Sequence, residues 1–270
     1  MSKNYHNELN EFVFDLVDRS IYQENSLDDI WRKIISDARD YDERDRYKWY
    51  DGDFPVQHYS FEKTERPDII YSCDEFIMGI ECFSFDASKK PRKGSKQEQI
   101  EHKVEREMQE EYRHSTPPVD SFLSIEKTVD VEFSIKNYCV SLVSAFNSHV
   151  NSINDYRQKL SAKASGKNVF LSFFIEDTTA IGNYVITNGK SEALDPLKIP
   201  FFLKYIASMQ GLDYVIIKTT NLYVPSLRFQ KISHSLIIEL LNKCYGINTK
   251  YVPYQYKKVS HYWGLGDENA

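Results

Sequence analysis

Apolar side chains recur at helical spacing near the start of the chain and predict two amphipathic helices there. The first runs over about residues 4–18 with one apolar stripe. The second begins at Ser26, where Asp29 three residues later completes a capping box. Further along, apolar steps of four and three alternate over residues 131–163. That spacing predicts one long helix packed along another helix.

Runs rich in β-branched and aromatic residues predict the strands of a sheet. Residues 68–73 and 76–85 are separated only by the turn Asp74-Glu75, which predicts an antiparallel hairpin. The second of these strands is mostly apolar, as is typical of a strand covered on both faces. Helices and strands then alternate, which predicts an α/β fold with a mixed β-sheet flanked by helices. The remaining predicted strands are 56–61, 169–177 and 212–219, and the remaining helices are 96–114, 196–210 and 232–244.

The chain shows no internal repeat and no low-complexity tract, so a single α/β domain over residues 1–270 is expected. Residues 115–128 are the only candidate break, and they are equally well explained as a crossover. The stretch that holds Gly182 and Gly189 is predicted to be a loop.

Composition places the chain among ordinary globular proteins, with 41% hydrophobic and 27% charged residues. The formal net charge of −6 excludes a uniformly basic nucleic-acid coat protein but leaves room for a local basic patch. The four cysteines form no CxxC or Cys/His cluster, so a zinc site or a disulfide framework is not expected.

Several protein classes lack their signatures in this sequence. The first residues, MSKNYHNELNEF, contain no apolar core of a signal peptide, and the longest uncharged run is studded with Asn and Ser, so we expect a cytoplasmic protein without a membrane span. No GxGxxG after a strand, GxxxxGK[ST], GxSxG or HExxH is present. A dinucleotide enzyme, a nucleotide-driven motor, an α/β-hydrolase and a zinc protease are therefore not expected.

Two acidic residues on the predicted hairpin are the strongest candidates for chemistry. Asp68 starts one strand and Glu81 lies inside its antiparallel neighbour, where facing residues approach to about 5 Å. Two carboxylates that close repel each other unless a cation lies between them. A hard ion such as Mg²⁺ accepts one or two carboxylates together with phosphate oxygens and water. Glu81 in its apolar strand is costly to bury without a metal, a cation or hydrogen bonds.

These residues give the sequence a resemblance to the PD-(D/E)XK nuclease superfamily. Pro67-Asp68 resembles the PD element, and Glu81-Cys82-Phe83 occupies the (D/E)XK position. The resemblance implies a restriction-endonuclease-like core of order αβββαβ over about residues 4–177, with a C-terminal α/β extension over 178–270. It also implies that Asp68 and Glu81 are catalytic residues that hold Mg²⁺ or Mn²⁺.

The sequence departs from the family pattern at the motif lysine, which is replaced by Phe83. Either the lysine has moved or catalysis has been lost. The candidates for a moved lysine are Lys89 and Lys90, just beyond the strand, and Lys96 or Lys103 on the following helix. Lys89 and Lys90 are the two assigned to the catalytic site.

A basic segment follows the strand that carries Glu81. Residues 89–96 hold five basic side chains in eight positions, the densest such cluster in an acidic chain. A basic loop beside paired carboxylates is suited to a phosphate backbone, although a solvated turn explains it equally well. The predicted nucleic-acid contacts are Lys89, Lys90, Arg92, Lys93 and Lys96.

Three weaker features are explained at least as well by structure as by function. The family pattern often adds an acid from the first helix, but Glu8 and Glu11 are better explained as a solvated helix face. Glu176-Asp177 ends a strand, where ligands gather in open α/β sheets, and a turn cap is the favoured interpretation. His149 lies on an apolar helix seam, as a satisfied core histidine does.

Two functional hypotheses follow. The leading one is a metal-dependent nuclease-like hydrolase acting on nucleic acid, with DNA preferred over RNA by the resemblance alone. The second is a catalytically inactive nuclease-fold scaffold that binds protein or nucleic acid. A homodimer or a protein partner is compatible with both. A small-molecule enzyme that uses the Glu176-Asp177 strand end is a third interpretation, based on position only.

Overall fold

The computed structural model describes residues 6–18, 27–46, 56–87, 96–114, 123–130, 135–179, 184–219, 226–233, 236, 244–252 and 256–263. Six α-helices, one short 3₁₀ helix (Pro196–Lys198) and eleven strands lie in this part of the chain. In chain order they are α1 (His6–Val17), α2 (Asp29–Arg46), β1 (Tyr59–Lys63), β2 (Ile69–Cys73), β3 (Phe76–Phe85), α3 (Lys96–His114), β4 (Leu123–Asp130), α4 (Ile135–Val150), α5 (Ile153–Lys163), β5 (Asn168–Asp177), β6 (Tyr184–Thr187), β7 (Lys190–Ala193), α6 (Pro200–Ala207), β8 (Tyr214–Thr219), β9 (Ser226–Lys231), β10 (Lys250–Val252) and β11 (Tyr256–Trp263).

The chain divides into two compact units, which are described separately. The prediction of a single domain stays a prediction. The first unit comprises Met1–Phe85, Val143–Thr178 and Asp195–Gly246, and the second comprises Asp86–Leu142, Thr179–Leu194 and Ile247–Ala270.

A six-stranded mixed sheet forms the centre of the first unit. Its strand order is β1-β2-β3-β5-β8-β9. The first three strands are antiparallel, β3, β5 and β8 are parallel, and β9 returns antiparallel at the edge. The α/β fold with a mixed, helix-flanked sheet is therefore confirmed, as is the hairpin of β2 and β3.

Helices α1 and α2 cover one face of this sheet. Their apolar stripes place Phe12, Leu16, Trp31 and Ile34 in one core cluster with side chains from β2, β3, β5, β8 and β9. Ring contacts join the layers, since Phe12 meets a ring of β5 and Trp31 meets rings of β8 and β9. Burial of these large rings is the main stabilising contribution on this side.

The opposite face of the sheet is covered by α5 and by the last residues of α4. Phe146 of α4 packs against Phe173 of β5 with ring centroids 5.0 Å apart. Leu160 of α5 is fully buried, and Gly79 of β3 lies so close beneath it that a Cβ would approach to 2.7 Å. Helices on both faces explain why β3, β5 and β8 have almost continuously apolar sequences.

The second unit contains two small antiparallel sheets and α3. Strand β4 pairs with β11 over eight residue pairs, and β6 pairs with both β7 and β10. Helix α3 contacts both β4 and β11. None of these strands was predicted from the sequence. Strands β4 and β11 pair with each other across a long stretch of chain, and β6, β7 and β10 are very short.

The prediction of one long helix over residues 131–163 is wrong. The chain turns at Asn151-Ser152, and α4 and α5 are separate helices. The amide of Ser152 donates to the carbonyl of His149, a tighter turn than the helix repeat allows. Apolar spacing continued across the break and concealed it.

The prediction of a loop around Gly182 and Gly189 is wrong for the part that is described. Asn188 and Gly189 both have positive φ, of 52° and 76°, and they connect β6 to β7 as a two-residue hairpin turn. Asn-Gly is the strongest short-range signal for such a turn, so the sequence contained the information.

Two further expectations concern the predicted helix over residues 232–244 and the absence of a membrane span. The helix predicted over residues 232–244 falls almost entirely outside the described residues. As for membranes, none of the described helices combines the length and the apolar character that a bilayer span requires.

Candidate functional site

A cavity of about 310 Å³ opens in the first unit where strands β3, β5 and β8 reach their carboxyl ends. Helix α1 lies over it, and the start of β2 closes one side. Ligands in open α/β sheets gather at this position because loops and helix ends leave a crevice there. We call it the Asp68 cavity, and its lining residues are Glu11, Phe12, Asp15, Lys63, Asp68, Ile69, Cys82, Phe83, Ser84, Phe174, Glu176 and Lys218.

Asp68 is held in the cavity by the neighbouring strand. Its Oδ2 accepts a hydrogen bond of 2.7 Å from the backbone N–H of Cys82. Pro67, immediately before it, is buried, and Asp68 directly precedes β2. The carboxylate therefore has a defined position at the open end of the β2–β3 hairpin, where the sequence predicts Asp68 as one of two acidic site residues.

Three residues in register across neighbouring strands form a row on the cavity floor. Ser84 of β3 is in register with Glu176 of β5, and Glu176 is in register with Lys218 of β8. All three line the cavity. Adjacent strands lie about 4.8 Å apart, so these side chains stand next to one another on the same face.

Lys218 is the centre of a charge network in this row. Its Nζ lies 2.8 Å from Oδ2 of Asp15 on α1 and 3.3 Å from Oε1 of Glu176. Burial by itself lowers the pKa of Lys218, but the hydrogen bond and charge of Asp15, aided by Glu176, outweigh it and raise the pKa above its ordinary value. Lys218 is therefore a permanent cation at neutral pH, a donor and not a base.

The pKa of Asp15 is also raised, which for an acid disfavours the charged form. Burial raises the pKa of its carboxyl above the ordinary value, although the hydrogen bond and charge of Lys218 oppose the shift. The negative charges of Glu11 and Glu176 raise it further. Asp15 thus depends on Lys218 to stay ionised in a site crowded with acids.

Glu81 lies in a different polar group from Asp68. It is buried, with 4% exposure, and does not line the Asp68 cavity. Its Oε1 lies 2.8 Å from Nδ1 of His149 and accepts a hydrogen bond of 2.7 Å from the hydroxyl of Tyr156. These partners come from α4 and α5. The expected hydrogen bonds to the buried carboxylate are found, whereas a role of Glu81 as metal ligand stays a prediction.

Phe83, at the position of the motif lysine, has an aromatic environment. Its ring stacks on His149 with centroids 4.3 Å apart and meets Phe146 and Phe173 edge to face. The interpretation of His149 as a satisfied core histidine is supported by this stack and by its bond to Glu81. Phe83 therefore supplies no ammonium group to the Asp68 cavity, which it lines.

The predicted lysines of the basic segment lie mostly outside the described residues. This applies to Lys89, Lys90, Arg92 and Lys93, which stay predictions as catalytic or nucleic-acid-binding residues. Lys96 is the first residue of α3, and its side chain is likewise outside the description.

Lys103, the remaining candidate for a moved lysine, is described. It is exposed on α3 and lies 3.8 Å from Glu107 in an ordinary surface ion pair.

Sequence reasoning missed most of the lysines and acids that the fold brings to the cavity. Lys218 interrupts the apolar run of β8, as Glu81 interrupts that of β3, and an isolated charge in a buried strand was the available signal. Glu11 is exposed on α1, as expected of a solvated helix face, and it also lines the cavity. Lys63 at the end of β1 carried no distinguishing signal.

The donor chemistry of the cavity is compatible with a hard cation, without a preassembled cage. Four carboxylates (Glu11, Asp15, Asp68 and Glu176) face two lysines (Lys63 and Lys218), which leaves an excess of two formal negative charges. No cluster of three or more His, Cys, Asp or Glu side chains suited to a metal ion occurs among the described residues. Mg²⁺ needs only one or two protein carboxylates when water and phosphate oxygens complete its shell.

Comparison with known proteins gives no further assignment. No family model matches the sequence, and neither the curated proteins nor the solved structures that were compared with the chain yield a match.

Proposed function

We propose that this chain is a metal-dependent nuclease-like protein that hydrolyses phosphodiester bonds at the Asp68 cavity. The observation that carries the proposal is the meeting of Asp68, Glu176 and Lys218 in one cavity at the strand ends. Two carboxylates and a permanent ammonium group are the side-chain types that the resemblance to the PD-(D/E)XK superfamily requires. They arise here from β2, β5 and β8, whereas the family motif takes them from β2 and β3.

The order of elements supports the same proposal. Within the first unit, helices α1 and α2 are followed by the antiparallel strands β1, β2 and β3, then by helix α5 and by β5 parallel to β3, which corresponds to the order αβββαβ. Helix α3 and strand β4, which come between β3 and α5 in the chain, belong to the second unit. We therefore propose a restriction-endonuclease-like core for this part of the first unit. Strands β8 and β9 extend its sheet as the C-terminal α/β extension.

The metal in this proposal is Mg²⁺ or Mn²⁺. Asp68 and Glu11 are the residues we assign to hold it, because both line the cavity and the resemblance adds an acid of the first helix to the aspartate of the PD element. Their oxygen donors suit a hard ion, and the excess of negative charge in the cavity favours a divalent one. When bound, such an ion would neutralise phosphate charge and lower the pKa of a bound water.

Lys218 takes the role of the missing motif lysine in this proposal. Its raised pKa keeps it protonated, so it donates hydrogen bonds to a phosphate oxygen or to the attacking water and stabilises the charge that develops. Glu176 beside it is more exposed, with 36% of its side chain accessible, and can accept a proton from that water. DNA is proposed as the substrate on the resemblance alone.

The decisive experiment compares Asp68→Asn with a matched variant, Asp213→Asn. Both aspartates accept a strand amide, from Cys82 and from Leu171 respectively, and Asp213 lies outside the cavity. Asparagine keeps the acceptor oxygen and removes the charge. The two variants and wild type are incubated with supercoiled plasmid, single-stranded DNA and RNA, in Mg²⁺, Mn²⁺ or EDTA.

We expect metal-dependent cleavage by wild type and by Asp213→Asn, and a loss of at least about 100-fold in Asp68→Asn. Lys218→Arg keeps the positive charge next to Asp15 but changes its geometry, and it should lose activity without unfolding. Full activity of folded Asp68→Asn would refute the proposed site.

A second candidate function is a catalytically inactive nuclease-fold scaffold that binds protein or nucleic acid. Its supporting observation is that both assigned motif positions on β3 serve packing, since Glu81 is bonded to His149 and Phe83 is stacked on it. Under this alternative, wild type cleaves no substrate and Mg²⁺ does not raise its melting temperature. A metal that binds the native state must raise that temperature, so the two candidates are separable.

A further inference from the structure

A second cavity in the first unit, of about 250 Å³, lies on the far side of Pro67 from the Asp68 cavity. It is formed by the turn before β2 and by the first two turns of α5. We call it the Arg66 cavity, and its lining residues are Arg66, Ser152, Asp155, Tyr156, Gln158 and Lys159.

The charge of this cavity is opposite to that of the Asp68 cavity. Arg66 and Lys159 face a single carboxylate, Asp155, which leaves one formal positive charge in excess. The chain as a whole carries −6. A local positive excess on an acidic protein concentrates anions at that point.

Arg66 is an exposed side chain of this cavity. None of the described carboxylates forms an ion pair with its guanidinium group, whereas Lys163, one turn beyond Lys159, is paired with Glu62 at 2.8 Å. Lys159 Nζ donates to the backbone carbonyl of Arg66 over 3.3 Å, which holds the two cations at the same turn. Two adjacent cations are therefore available to one external anion.

The remaining donors of the cavity suit a phosphate group. Ser152 precedes α5 as its N-cap residue, and its side chain makes no capping hydrogen bond but interacts with the hydroxyl of Tyr156. The first amides of α5 point toward the same end, where the helix dipole is positive. Gln158 adds a side-chain amide. An arginine fork, an ammonium group and neutral donors are the usual components of phosphate recognition.

We propose that the Arg66 cavity binds a backbone phosphate of the nucleic acid, next to the phosphate that enters the Asp68 cavity. This inference rests on the proposed function. Arg66 and Asp68 are two residues apart, so their Cα atoms lie within about 7 Å of each other. Such contacts position the strand and read no sequence, because phosphates are the same at every step. The cavity would thus orient a single strand across Pro67.

The test measures binding apart from cleavage. Anisotropy of a labelled single-stranded oligonucleotide is followed in EDTA over a salt titration, for wild type, for Arg66→Gln/Lys159→Gln and for the control Lys163→Gln. Lys163 lies on the same helix and is 46% exposed, but it does not line the cavity. Melting temperatures verify that all three proteins are folded.

We expect the double variant to bind roughly tenfold more weakly at low salt. We also expect the slope of log K against log salt to fall by about 1.4, for two lost phosphate contacts on a single strand. The control should match wild type in both. Equal affinity and slope for the double variant and wild type would overturn the inference, as would competition by inorganic phosphate as strong as that by oligonucleotide at equal phosphate concentration.

The outcomes separate this inference from the proposed function. Cleavage that depends on Asp68, together with unchanged binding by the double variant, retains the nuclease and removes the phosphate site. Weakened binding by the double variant, in a protein that cleaves no substrate, retains the phosphate site and removes the nuclease.

Discussion

His149 Nδ1 lies 2.8 Å from Glu81 Oε1, and this contact joins a helix to the centre of the sheet. The hydroxyl of Tyr156 donates to the same carboxylate oxygen. Burial raises the pKa of Tyr156 to about 12, and the hydrogen bond and charge of Glu81 add to the effect. The other oxygen of Glu81, Oε2, is buried with no partner among the described residues. The group therefore stabilises one defined arrangement of β3, α4 and α5 at a substantial desolvation cost.

Removing Glu81 should destabilise the first unit strongly. In Glu81→Ala the half-buried His149 and the buried Tyr156 lose their acceptor, which costs about 3 kcal/mol in the free energy of unfolding. Glu81→Gln keeps an acceptor for Tyr156 and should lose less. Urea unfolding followed by circular dichroism measures both. The exposed pair of Glu62 and Lys163 provides the control, since Glu62→Ala should cost less than about 1 kcal/mol. A similar decrease in the free energy of unfolding for Glu81→Ala and Glu62→Ala would contradict the larger contribution assigned to the buried group.

Lys218 and Asp15 should be energetically coupled. Lys218→Met leaves Asp15 buried without its cation, at a cost of about 3 kcal/mol near neutral pH. Because burial raises the pKa of Asp15, acid protonates it first in the native state, so the deficit should shrink as the pH falls. Adding Asp15→Asn should restore part of the loss, with a coupling of about 1 to 3 kcal/mol in a double-mutant cycle. Strict additivity of the two changes would contradict the network.

Asp28 should contribute to stability in a pH-dependent manner. Burial by itself raises its pKa, but hydrogen bonds from Tyr214, the Trp31 amide and Lys231 outweigh it and hold the pKa below the ordinary 3.8. A lowered carboxyl pKa stabilises the native state above the unfolded pKa, and the contribution disappears as the pH falls through the folded one. Wild type should therefore lose its advantage over Asp28→Asn between about pH 5 and about pH 2. A constant difference across chemical unfolding curves in that range would contradict this.

Gly79 is required by the packing of β3. A Cβ at this position would approach Leu160 Cδ1 to 2.7 Å and Pro67 Cγ to 2.8 Å. Gly79→Ala should cost about 1 to 3 kcal/mol by overpacking, and it should also shift the turn that positions Asp68. Gly246→Ala is the matched change, since a Cβ there meets no described atom within 4 Å and the effect should stay within about 0.5 kcal/mol. Thermal unfolding of the two variants distinguishes them.

The sequence was sufficient for the elements that have a strong local signal, whether a short turn or a continuous apolar run. The hairpin of β2 and β3 followed from two apolar runs and a two-residue turn, and strands β5 and β8 followed from their apolar character. The sequence correctly identified Glu81 as a buried charge that needs partners. His149, predicted on the apolar seam of its helix, is one of these partners. Local periodicity contains this information directly.

The cavity required information that local patterns do not contain. The pairing register decides which face of β3 points toward α1. Ser84 lies on the face that lines the cavity, and Glu81 lies on the opposite face. The pairing of Asp15 with Lys218 joins the first helix to the eighth strand. Such contacts are set by the order of strands in the sheet, which the apolar pattern alone leaves open.

Ser84, Glu176 and Lys218 are far apart in the sequence, yet the strand register makes them neighbours in a row. A motif of this kind is defined across the sheet and not along the chain. If a related protein carried the acidic or basic residue on another strand of the same row, that side chain would still face the cavity. One that moves a single position along its own strand turns to the opposite face. Relatives with the same site would therefore be recognised by comparing which residues are in register on neighbouring strands, and less by comparing the spacing of residues in the sequence.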